Sequence, residues 1–108
     1  MTAGSAVEIQ QTFRAVDGVV GPRPTEYLAP SVELWCSGAT LFGPRDVASA
    51  LRELTAGARD IHLQVIERSA TATWLLPTAG PPAIVMVDFE VDEGRVTRVT
   101  ASRLKLTA

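Results

Sequence analysis

At 108 residues the chain has room for one domain and one hydrophobic core. A hydrophobic share of 46% and a charged share of 20% are ordinary globular values, so wholesale disorder is excluded. The formal net charge of −2 lacks the basic excess that phosphate neutralisation needs, which argues against a nucleic-acid partner.

Residues 1–5 are small and polar and are expected to fray. From Ala6 to Val16, Ile9, Phe13 and Val16 recur at helical spacing, with Asp17-Gly18 as the expected stop. Gly21-Pro22-Arg23-Pro24-Thr25 is a breaker cluster, followed by a short helical turn through Glu26, Tyr27 and Leu28 that ends before Pro30. Val32 to Ser37 alternates as a first strand, with Val32, Leu34 and Cys36 on one face and Glu33, Trp35 and Ser37 on the other. The clearest helix follows. Gly43 stands at its N-cap, Pro44 at the first helical position and Asp46 in the first turn; Val47, Leu51 and Leu54 form its stripe, and Gly57 is the expected C-cap.

Beyond it the apolar period changes to two. Asp60 to Glu67 places Ile61, Leu63 and Val65 on one face, and Ala70 to Leu76 reads as the next strand. Pro77-Thr78-Ala79-Gly80-Pro81-Pro82 forms the turn into Ala83–Val91, where Val85, Val87, Phe89 and Val91 share a phase. Asp92-Glu93-Gly94 reads as a hairpin turn and Arg95 to Leu106 as the last strand, whose Arg95, Arg98, Arg103 and Lys105 occupy solvated positions. Helices followed by a run of hairpins predict an α+β fold, because no βαβ crossover is present.

Cys36 is the single cysteine, so neither an intrachain disulfide nor a two-thiol metal site can form. Met1 to Val7 has no basic region followed by a long apolar run, and no stretch approaches a membrane span. A cytoplasmic protein without membrane contact is expected.

Three motifs in order carry a family resemblance. Tyr27-Leu28-Ala29-Pro30-Ser31-Val32-Glu33-Leu34-Trp35 resembles the "YLAPDVEW" approach to the first strand of the nuclear transport factor 2-like superfamily, which includes the SnoaL-like polyketide cyclases and the ketosteroid isomerases. Gly43-Pro44-Arg45-Asp46-Val47 is similar to the "GREAV" start of their third helix, and Asp92-Glu93-Gly94-Arg95-Val96 to their "DDGRI" turn. Spread over nearly the whole chain, the resemblance implies a single SnoaL-like domain over 1–108. The implied architecture is a cone-shaped, curved antiparallel sheet enclosing helices, the nuclear transport factor 2-like or cystatin-like roll. It also implies an apolar pocket and pairing of two copies through the outer sheet face. The chain is shorter than most members, around residues 18–26.

The isomerase chemistry implied by the family uses an Asp base and a second carboxylic acid kept protonated in an apolar site, a case known from ketosteroid isomerase itself. Counting from Gly43 and from the Asp92-Glu93-Gly94 turn, those positions fall near Leu34 and Val87, and the cyclases' acid on the last strand falls within Ala101–Leu104. None carries a carboxylate. Strand phase agrees: Glu33, Asp60, Asp88 and Glu90 are expected to face away from the pocket, leaving an inward face without ionisable groups. The expected pocket lining is Phe13, Tyr27, Leu34, Cys36, Leu51, Leu63, Val85, Val87 and Phe89. For catalysis the sequence offers only Tyr27, Asp17 and Cys36, with Glu26 as a further loop acid. Tyr27 either reaches a ligand carbonyl or packs with its hydroxyl at the surface, while Cys36 is read as a small buried hydrophobe rather than a nucleophile.

His62 falls on the outer face as a surface or interface residue, and one histidine without an acid cluster is no metal site. Gly80 and Gly94 belong to turns and cradle no phosphate, so no cofactor is expected. Trp35 and Trp74, with Ile84, Met86 and His62, are expected to form an apolar outer patch that pairs with a second copy. The resulting reading is a module that binds a small apolar molecule or dimerises without catalysis; the alternative is a cyclase, isomerase or hydratase acting on a small apolar or polyketide-like substrate.

Overall fold

The computed structural model describes residues 3–76, 79 and 83–105. Helix α1 spans Ala3–Val19 and therefore runs through Gly18 instead of stopping there. Its buried stripe is Thr12, Ala15, Val16 and Val19, at i, i+3, i+4 and i+7. These small side chains bring the helix close to the sheet. Phe13, at 51% exposed, lies on another flank with Ile9, where it lines a groove beside Val65 and not the expected hollow under the sheet. Gly18 is present for a packing reason: a methyl group built there would overlap the ring of Tyr27, which lies across the helix. Tyr27 itself ends the 3-10 turn Pro24–Tyr27.

Among the described residues, six strands form one curved sheet. They are β1 (Leu28–Cys36), β2 (Ala39–Phe42), β3 (Arg59–Ile66), β4 (Ser69–Leu76), β5 (Ala83–Asp92) and β6 (Arg95–Lys105), in the order β2-β1-β6-β5-β4-β3. All neighbours are antiparallel except β1 and β6. Strand β2 is absent from the sequence reading. Its turn is Ser37-Gly38, with φ of 49° and 81°, the two left-handed residues of a tight hairpin. Glu93 and Gly94, at 50° and 76°, build the β5–β6 turn in the same way, as its Asp-Glu-Gly run predicts. The turn expected over Pro77–Pro82 lies, apart from Ala79, outside the described residues, as does Leu106.

Helix α2 spans Pro44–Leu54. The Gly43 amide donates to the Val32 carbonyl at 3.0 Å, which fixes the helix start against β1, and Gly43 holds φ at 92° to do so. The helix closes at Thr55, not Gly57, because the Thr55 hydroxyl donates back to the Leu51 carbonyl at 2.8 Å.

Cross-strand register arranges the inner face in rows. Ala70, Phe89, Val99 and Leu34 lie side by side across β4, β5, β6 and β1, and Ala72, Val87, Ala101 and Cys36 form the next row. Val16, Val47 and Leu51 from the two helices close over them, so one end of the hollow is filled by side chains.

One polar side chain sits within this packing. Thr12 is fully buried and its hydroxyl donates to the Glu67 carbonyl at 2.6 Å, fastening α1 to the β3–β4 turn. Thr12→Val should cost about 1–2 kcal/mol by stranding that carbonyl, and Thr12→Ser should retain most of it. Equal urea midpoints for wild type and Thr12→Val would show that the bond contributes nothing.

Candidate functional site

The hollow is filled around Phe89 and opens at its other end. There a cleft of about 410 Å³ lies between the C-terminal half of α2, the β1–β2 hairpin and the far ends of β4, β5 and β6. The sheet contributes Leu34, Cys36, Leu76 and Val85; the hairpin contributes Ala39 and Leu41; α2 and the turn after it contribute Ala50, Leu54 and Ala56. The space exists because Ala39, Ala50 and Ala56 face one another where larger residues would meet. Its volume falls within the range of small-molecule sites, roughly 300–1,000 Å³.

Two charged side chains complete the lining: Glu53 from the last turn of α2 and Arg103 from β6. Arg103 corrects the expectation of an inward face free of ionisable groups. It pairs in register with Val85, the strand position that follows Val99 and Ala101 on the inner side. The chain emerges from the core at that point, so Arg103 lines the cleft and still reaches solvent. Alternation on β6 was a sufficient signal; reading its arginines as a uniform solvated edge hid it.

Of the expected pocket residues, Leu34, Cys36 and Val85 line the cleft. Leu51, Val87 and Phe89 are buried deeper in the core, and Leu63 is packed against it. Tyr27 lies against Gly18 and the core and is not part of the cleft lining. Asp17 is exposed, in a groove between α1 and β3 with Ile9, Phe13 and Val65. Glu26 is exposed too and pairs with Arg23 at 3.6 Å. The structure therefore does not bring Asp17, Glu26 and Cys36 together. Cys36 is half-buried, and its thiol has only a weak 3.9 Å contact with the Ser37 hydroxyl. Leu34 and Val87, where the resemblance places the isomerase acids, are buried apolar side chains. Among the described residues no group of three or more His, Cys, Asp or Glu side chains could hold a metal ion.

The outer face carries Trp35, half exposed, whose indole N–H donates to Glu33 at 2.7 Å. The Arg98 guanidinium stands 6.0 Å above its ring and pairs with Glu90 at 3.3 Å. His62 is exposed, and Ile84 and Met86 are half-buried. Leu75 and Leu104, in register on either side of Ile84, extend this apolar row. Trp74 does not belong to it. It is only 7% exposed and alternates with buried Ala70 and Ala72, facing Val19, Leu51 and Thr55. The two alanines make room for the helices, and the indole fills the remaining corner.

No family model matches the sequence, and no curated protein matches it. Solved structures do match the fold. A ketosteroid isomerase candidate from Kribbella flavida DSM 17836 superposes with a TM-score of 0.73 at 18% identity, covering 96% of this chain and 82% of that one. An NTF-2 like protein of unknown function from Burkholderia xenovorans LB400 gives 0.72 at 12% identity, with 96% and 88% covered. A SnoaL-like polyketide cyclase candidate from Jannaschia sp. CCS1 gives 0.64 at 11% identity, with 95% and 89% covered.

Proposed function

We propose that this chain, a domain of nuclear transport factor 2-like fold, binds a small and largely apolar molecule in the cleft beneath α2, without acid–base catalysis. The observation that carries the reading is the lining itself: nine apolar or thiol side chains surround the cleft, and its two charged groups, Glu53 and Arg103, are both exposed. A general acid or base works from a held, water-shielded position, and both charged side chains of this cleft reach solvent.

Filling the cleft tests this. Ala50→Trp should abolish binding of octan-1-ol in a calorimetric titration while the urea midpoint stays near wild type, because Ala50 borders empty space. Undiminished octanol binding by a folded Ala50→Trp variant would rule the cleft out. Native mass spectrometry of the purified protein reads a retained molecule directly.

A second reading, cyclase or isomerase chemistry on a small apolar substrate, has Glu53 in its favour as the one carboxylate among the described cleft residues. It requires Glu53 to become enclosed when substrate binds.

The same proposal includes pairing of two copies through the outer sheet face around Trp35, His62, Ile84 and Met86. The support is the apolar row Leu75–Ile84–Leu104, with Met86 in the next row and the half-exposed Trp35 in the row after that. Sedimentation should show Ile84→Lys as a monomer; identical sedimentation of the variant and wild type removes this face from consideration. A cytoplasmic location also belongs to the proposal, supported by a lone cysteine where small secreted domains carry disulfides.

A further inference from the structure

We infer that the ligand of this cleft is an amphiphile with an anionic head, a monocarboxylate on a short hydrocarbon, held by Arg103. The inference rests on the cleft reading above and narrows its chemistry. Arg103 stands on the sheet wall, where pairing with Val85 on β5 fixes its backbone. On its other side β1 has ended, the last β1–β6 pair being Cys36 with Ala101, and Arg103 is exposed. The ion pairs among the described residues are Arg23–Glu26, Arg68–Glu8, Arg68–Asp92 and Arg98–Glu90, and Arg103 is in none of them. A planar fork of donors at the mouth of an apolar cleft matches a carboxylate whose chain lies on Leu34, Leu54, Leu76 and Val85.

Glu53, the other charged side chain of the lining, repels an anion. It lies in the last turn of α2, where the negative end of the helix dipole adds to its own charge. Its wall therefore disfavours an anion, and the head group is directed to the sheet side. A cationic amphiphile would do the reverse and seek Glu53.

The experiment compares octanoate, octan-1-ol and octylamine by calorimetric titration of the full chain at low salt, with wild type, Arg103→Gln, Glu53→Gln and Ala50→Trp. Octanoate should bind about fivefold more tightly than octan-1-ol, the scale of one partly solvated ion pair. Arg103→Gln should erase that preference by weakening octanoate binding more than octanol binding, whereas Glu53→Gln should strengthen octanoate binding. Raising the salt should shrink the preference. Equal affinity for octanoate and octanol, an Arg103→Gln variant that keeps the preference, or a preference for octylamine each overturns the anionic head while leaving the cleft occupied. Failure of all three probes to bind, or binding that survives Ala50→Trp, overturns the cleft reading itself.

Discussion

Replacing Trp74 by alanine is expected to remove about 3–5 kcal/mol of folding stability, a large part of the roughly 5–15 kcal/mol a domain of this size possesses. The indole is almost wholly enclosed between β4 and the two helices, and a void of about 90 Å³ already adjoins it. Truncation would join the lost indole volume to that void. Neighbours that are mostly small, such as Val19, Ala48 and Thr55, cannot swing in to fill it. The matched control is Trp35→Ala. Trp35 is half exposed, and its indole bond to Glu33 and its stacking with Arg98 are surface interactions worth together about 1 kcal/mol. Urea unfolding of both variants at unchanged slope measures the contrast. Losses of similar size would mean that Trp74 is not enclosed as described.

Gly18→Val should cost about 2–3 kcal/mol, although it removes a glycine from a helix. Glycine inside a helix is ordinarily a defect of about 1 kcal/mol relative to alanine. Here the ring of Tyr27 occupies the space a Cβ would need, and that ring is anchored by the 3-10 turn that leads into β1. Either α1 moves away from the sheet or the turn shifts, and both loosen the packing of Val16 and Val19. The two positions are therefore coupled. In a Tyr27→Ala background, Gly18→Ala should change sign and stabilise by about 1 kcal/mol, as helix propensity alone would have it. Additive effects in that double-mutant cycle would sever the connection between the glycine and the ring.

Much of the fold could be read from periodicity. The alternation in Ala83–Val91 required one buried face, and Phe89, Val87 and Val85 lie on it. Pro44 and Asp46 marked the start of α2, and the Asp-Glu-Gly run marked the last hairpin. Such features are local, set by the geometry of a few consecutive residues. The N-terminal helix shows where this reasoning stops. Ile9, Phe13 and Val16 made the hydrophobic stripe, yet of these Val16 is buried and is joined by Thr12, Ala15 and Val19, because close approach to the sheet favours small side chains over large ones. Strand β2 was missed for a related reason: four exposed residues carry no inward pattern, and only pairing with β1 makes them a strand.

The sequence by itself determined the class of fold, the phase of the central strands and the apolar character of the hollow. Only the tertiary structure decided where that hollow is filled and where it opens. The void is a difference between the volumes of side chains that meet from distant parts of the chain: Ala39, Ala50 and Ala56 at one end, Phe89 and Trp74 towards the other. Placing Arg103 and Glu53 on that opening also required knowing where β1 ends beside β6 and where α2 stops above them. Local propensity holds no record of such meetings.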